Sequence, residues 1–267
     1  MIKDNRKDTL EAFNRLLDIM DELREKCPWD KKQTWESLRT LTIEETYELA
    51  DAIIDKNPQG IMEELGDLML HLVFYSKIGV EKDEFNLEDV LEHISNKLVF
   101  RHPHIFADVK VSSAREVEDN WEKIKLSENG GKKTVLGGIP SSLPALIKAY
   151  RMQDKARGVG FDWEVREQVW DKVEEEIKEF REEISGGNDE RDEKAIEQEF
   201  GDVFFSLVNA ARLYGINPEN ALEKTNIKFI SRFNYLEKET ISKGLSLRDM
   251  SLEAMNAIWE EAKKADQ

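Results

Sequence analysis

The sequence holds a single cysteine, Cys27, which excludes an intramolecular disulfide and a cysteine-rich zinc site and suits a reducing compartment. Glycine and proline are few, 14 and 6 in 267 residues, and they cluster. An all-β chain would need them as punctuation every ~8–12 residues. Basic residues are outnumbered, 39 against 56 acidic ones, for a formal net charge of −17. Nucleic acid polymers and anionic membranes both require basic surface, so a phosphate-bearing partner must be small and met locally. No apolar run approaches the ~18 residues of a membrane span, and the opening MIKDNRKDTLEAFNRLL is too polar for a signal peptide. The expectation is a soluble, cytoplasmic protein. Also missing are a Walker A loop, a Rossmann glycine fingerprint and any sign of a nucleophilic triad. None of the four histidines, His71, His93, His102 and His104, stands three residues after a glutamate, which weakens a carboxylate-bridged di-iron bundle.

What is present is apolar matter in helical register. Hydrophobic residues make up 40% of the chain, with 12 Phe and 6 Trp, enough for one large or two ordinary cores. Val169, Val173, Ile177, Phe180 and Ile184 fall at steps of four, four, three and four, the stripe of an amphipathic helix, and Ser185-Gly186-Gly187-Asn188 should end it. Phe200, Val203, Phe204, Leu207, Val208 and Ala211 form a second stripe, stopped by Gly215 and Pro218, and Ile43, Tyr47, Ala50 and Ile54 form a third. Stripes this wide must pack on other helices, so the expected fold class is all-α, built as helical bundles.

The two halves of the chain repeat one another. Glu45 and Glu48 match Glu176 and Glu179; Glu64, Gly66 and Asp67 match Glu199, Gly201 and Asp202; Lys97 and Arg101 match Lys228 and Arg232 at the same spacing of four. Each set is followed by a Trp-Glu pair, Trp121-Glu122 and Trp259-Glu260. A repeat this long is a duplicated domain and no solenoid unit. The breaker-rich stretch SENGGKKTVLGGIPSSLPAL suggests a linker at 127–145 between domains at 1–126 and 146–267.

At ~100° per residue, Lys172, Glu176 and Glu179 share a sector of about 60° on one helix. Glu199 and Asp202 stand one turn apart on the next. Antiparallel pairing of the two helices brings four carboxylates face to face, where they repel unless a cation intervenes. Oxygen ligands with room for water and phosphate are the donor set of Mg²⁺ or Mn²⁺. Acidic pairs at this spacing are ordinarily solvated faces in so acidic a chain. Their recurrence in both halves, each with a Lys and Arg downstream, argues for a site. Trp29-Asp30 and Asp162-Trp163 read as structural corners, with a contact to substrate as the alternative, and Cys27 and the histidines lack ligand-like spacing.

These segments resemble the MazG family of nucleoside triphosphate pyrophosphohydrolases over nearly the whole chain. The carriers are CPWDKKQTWESL, EETYELADAI, EELGDLMLHLVFY and KLVFRHPHIF in the first half. In the second they are RMQDKARGVGFDW, EEEIKEF, EFGDVFF and NIKFISRF. The resemblance implies two tandem all-α domains, a homodimer, and Mg²⁺-dependent hydrolysis of (deoxy)nucleoside triphosphates to monophosphate and pyrophosphate. It implies that Glu176, Glu179, Glu199 and Asp202 hold metal, that Glu175 or Glu176 orients the attacking water, that Lys172, Lys228 and Arg232 hold the triphosphate, and that Trp259 lies against base or ribose. An aromatic platform discriminates little among bases, so broad specificity and a housekeeping role for the nucleotide pool are expected. The first copy would offer Glu44, Glu45, Glu48, Glu64, Asp67, Lys97 and Arg101. It has Leu41 where the second has Lys172, so it lacks one cation and is expected to be weaker, regulatory or structural. Gln198 stands where the first copy has Glu63, which touches only a secondary contact. Two other readings compete: a non-enzymatic helical dimerisation or regulatory module whose acids are merely soluble, and a pyrophosphatase narrowed to dUTP or a modified nucleotide.

Overall fold

Helix signals in the sequence become helices. The computed structural model describes residues 5–113, 116, 117, 120, 121, 124, 134–185 and 192–265, and among them are ten α-helices and no strand. They divide into two compact units, 1–117 and 118–267. Residues 127–133 of the expected linker, Glu122, and the Gly186-Gly187-Asn188 stop lie outside the described residues.

In the first unit, α1 (Arg6–Lys26) starts where the Asn5 side chain accepts the Lys7 amide, and α2 (Trp35–Ile54) starts at a Thr34–Ser37 capping box. Such caps satisfy amides that the first turn leaves without a carbonyl, worth about 1 kcal/mol each. A three-residue connection with Lys56 at φ 52 turns the chain into α3 (Pro58–Glu81), which opens on an Asn57 cap and a proline. α4 (Leu87–Arg101) and the short α5 (Pro103–Phe106) follow. The core joins Met20, Leu38, Val73, Phe74 and Ile78, each at most 3% exposed. Truncating any of the larger ones to alanine costs roughly 2–5 kcal/mol. Arg24 clamps the Trp29-Asp30 corner: its guanidinium donates to the Asp30 and Gln33 carbonyls and pairs with Glu81. At that corner Asp30 is buried and Trp29 exposed.

In the second unit, α6 (Ala145–Arg157) leads through a loop to α7 (Val169–Ser185), α8 (Glu193–Leu213), α9 (Pro218–Ser242) and α10 (Leu252–Ala265). α7 and α8 pack along one another. The α7 stripe is the buried one: Val169 and Val173 pack with Ala210, flanked by Ile177 and Leu213, and Phe180 meets Phe200 at 5.1 Å. α8 ends before Gly215, whose φ of 69 favours glycine, and Asn217 and Pro218 restart the chain as α9. The Asp162-Trp163 corner is held by an ion pair between Asp162 and the buried Arg212.

One expectation about packing needs correcting. The Ile43–Ile54 stripe of α2 is not the face that covers the core: Ile43 is 42% and Tyr47 52% exposed, while Leu38 and Leu41 point inward. Periodicity identifies an apolar face but not what covers it. The α8 stripe is split the same way, with Val208 buried and Phe200 and Phe204 half-exposed.

Candidate active site

Each unit gathers carboxylates from one helix pair. In the second, Glu176 of α7 and Glu199 and Asp202 of α8 each offer an oxygen within 4.8 Å of the others. The i,i+3 spacing on α8 puts two acids on the face that meets α7. Glu176 is buried, 8% exposed, and a charge there needs a partner. Lys172, one turn earlier, supplies it: its Nζ lies 2.8 Å from Glu176 Oε1 and 3.0 Å from Glu175 Oε1. Those hydrogen bonds, to Glu176 first, hold the Lys172 ammonium above its ordinary range. Desolvation pushes the Glu199 carboxyl up, helped by the like charges of Glu179, Asp202, Glu176 and Glu183. Glu179 therefore borders the cluster electrostatically without belonging to the close triplet.

In the first unit the triplet is Glu45 and Glu48 of α2 with Glu64 of α3, again within 4.8 Å. Burial pushes the Glu45 carboxyl up, reinforced by Asp67 and Glu48, and Glu64 is raised by burial, Glu48 and Glu45. Asp67 stands here as Glu179 does in the other copy, close enough to repel but outside the triplet. Leu41 packs against the hydrophobic core, so this copy spends on packing the position that carries Lys172 in the other. Sequence reasoning gave His71 no role. It is buried beside Asp67, burial lowers its pKa, and its Nδ1 has no hydrogen-bond partner among the described residues. No ligand-like spacing could have flagged it.

Three carboxylate oxygens this close, with Glu199 in one triplet and Glu45 and Glu64 in the other pushed up, are a repulsive arrangement that a hard divalent cation relieves, so the residues fit Mg²⁺ or Mn²⁺. The other expected residues lie on the following helices. Lys228 and Arg232 stand one turn apart on α9, Lys228 exposed and Arg232 half-buried; Lys97 and Arg101 sit likewise on α4, both half-buried. Trp259 of α10 packs on Phe229 of α9 at 5.2 Å between ring centres, beside Lys228 in sequence. Lys172, expected on triphosphate, is engaged by Glu175 and Glu176. Glu44 and Glu175 are exposed at the rims of their clusters' helices.

Comparison with known proteins agrees with this duplicated arrangement. The MazG nucleotide pyrophosphohydrolase domain matches twice, at residues 33–106 and 166–236, spans that contain both acid pairs and both Lys–Arg pairs. A Thermotoga maritima protein named nucleoside triphosphate pyrophosphohydrolase/pyrophosphatase MazG is 43% identical over 96% of this chain and 97% of its own length. The Escherichia coli nucleoside triphosphate pyrophosphohydrolase is 40% identical over 96% of this chain and 99% of its own. A Bacillus subtilis protein, YabN, is 47% identical over 95% of this chain but only 52% of its own length. The chain belongs to the MazG nucleotide pyrophosphohydrolase family and carries the family's domain twice.

Proposed function

We propose that this protein hydrolyses nucleoside triphosphates to monophosphate and pyrophosphate with Mg²⁺, or Mn²⁺ in its place, and that the second copy does most of the work. The observation that carries this reading is the Glu176–Glu199–Asp202 triplet. A triphosphate brings about four negative charges, which such a cluster rejects unless divalent cation lies between them. Bound metal would screen the acids, polarise the attacked phosphorus and ease departure of pyrophosphate. Glu176, Glu199 and Asp202 would hold it, with Glu179 as a fourth donor. Glu175, exposed beside the cluster, accepts the proton of the attacking water. Lys228 and Arg232 bind phosphate oxygens, and Trp259 faces the nucleoside. Lys172 holds the Glu176 carboxylate in place through an ion pair at 2.8 Å. The first copy, with Glu44, Glu45, Glu48, Glu64, Asp67, Lys97 and Arg101 but Leu41 in its core, is the weaker or regulatory one.

The working protein is a homodimer in this reading. Met62, Leu65, Met69 and Leu72 of α3, at steps of three, four and three, are all 43–59% exposed, the pattern of a helix seam awaiting a partner. Broad base specificity in this reading rests on the Trp259 platform, which discriminates little among bases, and a cytoplasmic, pool-cleansing role is in keeping with a single cysteine. No described helix is long and apolar enough to cross a membrane. The test is pyrophosphate release from the common nucleotides with and without Mg²⁺. Glu199→Gln should abolish it with helicity unchanged, and near-normal turnover in that variant rejects the assignment. Glu64→Gln should cost far less; equal losses would remove the asymmetry between copies.

A further inference from the structure

In the first unit, α4 and α5 meet at His102-Pro103-His104, where two of the four histidines come together. Their ring centres are 5.6 Å apart and the ring planes are tilted by 56°. His102 ends α4, with its backbone N–H on the Val99 carbonyl, and His104 lies within α5. Pro103 between them fixes one backbone dihedral, which limits how far the two rings can drift apart. Both side chains are half-buried. Helical spacing gives these histidines no ligand role, but they do not share a helix.

The His102 Nδ1 lies 2.7 Å from the Leu98 carbonyl oxygen. A carbonyl only accepts, so Nδ1 carries the proton, and in the neutral ring Nε2 keeps a bare lone pair. Metal-binding imidazoles are held in this way: the second nitrogen donates to a carbonyl, which fixes the tautomer and orients the ring. Neutral His104 has one bare nitrogen in either tautomer. With metal–nitrogen bonds of ~2.0–2.1 Å, two imidazoles on one ion have ring centres about 5.2–6.4 Å apart for angles at the metal between tetrahedral and linear. The observed 5.6 Å falls inside that range. A cap on the last turn of α4 accounts for the His102 bond but asks nothing of His104.

We propose that His102 and His104 form a site for a transition-metal ion of the Zn²⁺ or Ni²⁺ class, with water completing its shell. The site is separate from the carboxylate cluster of the same unit, whose acids stand on α2 and α3. Arg101, adjacent in sequence, opposes any divalent cation, so affinity comes from imidazole nitrogen and not from charge. That selects against Mg²⁺, which is hard and prefers oxygen. The second copy has no counterpart. By the offset that relates Lys97 to Lys228, His102 and His104 correspond to Phe233 and Tyr235, inside the unbroken α9, and Phe233 stacks on Phe229. The duplication therefore leaves one such site per chain, and an ion bound there ties α5 to the end of α4.

Isothermal titration calorimetry of the full-length protein with Ni²⁺, in a large excess of Mg²⁺ to occupy the carboxylate clusters, tests the assignment. The wild type should bind one Ni²⁺ per chain, and His104→Ala should weaken that binding at least tenfold. His104→Gln serves in its place if the alanine variant fails to fold. His93→Ala, at an exposed position on α4, and Cys27→Ser should each bind within twofold of wild type. With Cu²⁺ as the probe, electron paramagnetic resonance should show coupling to two imidazole nitrogens in the wild type and to fewer in the His104 variant. Absence of Ni²⁺ binding by the wild type overturns the site, as does unchanged binding in a folded His104 variant. A loss in His93→Ala or Cys27→Ser as large as that in His104→Ala also overturns it, since the ion would then be held elsewhere. None of these outcomes depends on whether the protein hydrolyses nucleotides.

Discussion

Replacing Lys172 by methionine keeps the length of the side chain and removes the only cation paired with Glu176 and Glu175 among the described ion pairs. The energetic effect divides unequally between those carboxylates. Glu175 is 54% exposed, and an exposed pair is worth well under 1 kcal/mol. The Glu176 side chain is only 10% exposed and takes a charge-assisted bond at 2.8 Å, a type worth about 1.5–3 kcal/mol. Lys172 is itself 39% exposed, which screens the pair, so we place the loss at about 2 kcal/mol. For a unit spanning 118–267 this lowers Tm by roughly 4–8 °C. Differential scanning calorimetry of the metal-free protein reads the shift. Two further results are diagnostic. Mg²⁺ should recover part of the loss, because it supplies the missing positive charge. In a Glu176→Gln background the same lysine substitution should cost almost nothing, because a neutral amide needs no counter-charge. An equal loss in both backgrounds would refute the reasoning and make Lys172 a matter of packing alone.

The sign of the pH dependence gives another test. A carboxyl pushed above its ordinary value of 4.5 in the fold, as at Glu199, contributes stability below 4.5 that is lost as pH rises through the raised value. Metal-free Glu199→Gln should therefore melt higher than wild type at pH 7–8, and the difference should vanish near pH 4; a variant that melts lower at neutral pH contradicts this. Added Mg²⁺ should reverse the order at neutral pH, since only the wild type retains the ligand set. Leu72→Asp, at a position 56% exposed on the α3 seam, should halve the mass seen by sedimentation; unchanged mass removes that seam from the dimer.

The acid pairs, the duplication and most helix positions could be read directly, because each is a matter of spacing along one chain. Which three acids converge could not. The closest triplets are Glu176, Glu199 and Asp202 in one copy and Glu45, Glu48 and Glu64 in the other, with Glu179 and Asp67 bordering them. The phase of one helix against its neighbour selects among equally spaced candidates, and no single-helix pattern encodes that phase. The exposure of Ile43 and Tyr47 shows the limit of amphipathic stripes, which report that a face is apolar and are silent about the surface that meets it.

The claim on which the whole account depends is that a divalent ion occupies the carboxylate triplet of the second unit. Titrating the full-length protein with Mn²⁺ while following its electron paramagnetic resonance signal measures that occupancy without reference to turnover. The account predicts saturable loss of the free-ion signal in the wild type and a clear reduction in the number of bound ions in Glu199→Gln. Equal binding by the two proteins, or none by either, would contradict it.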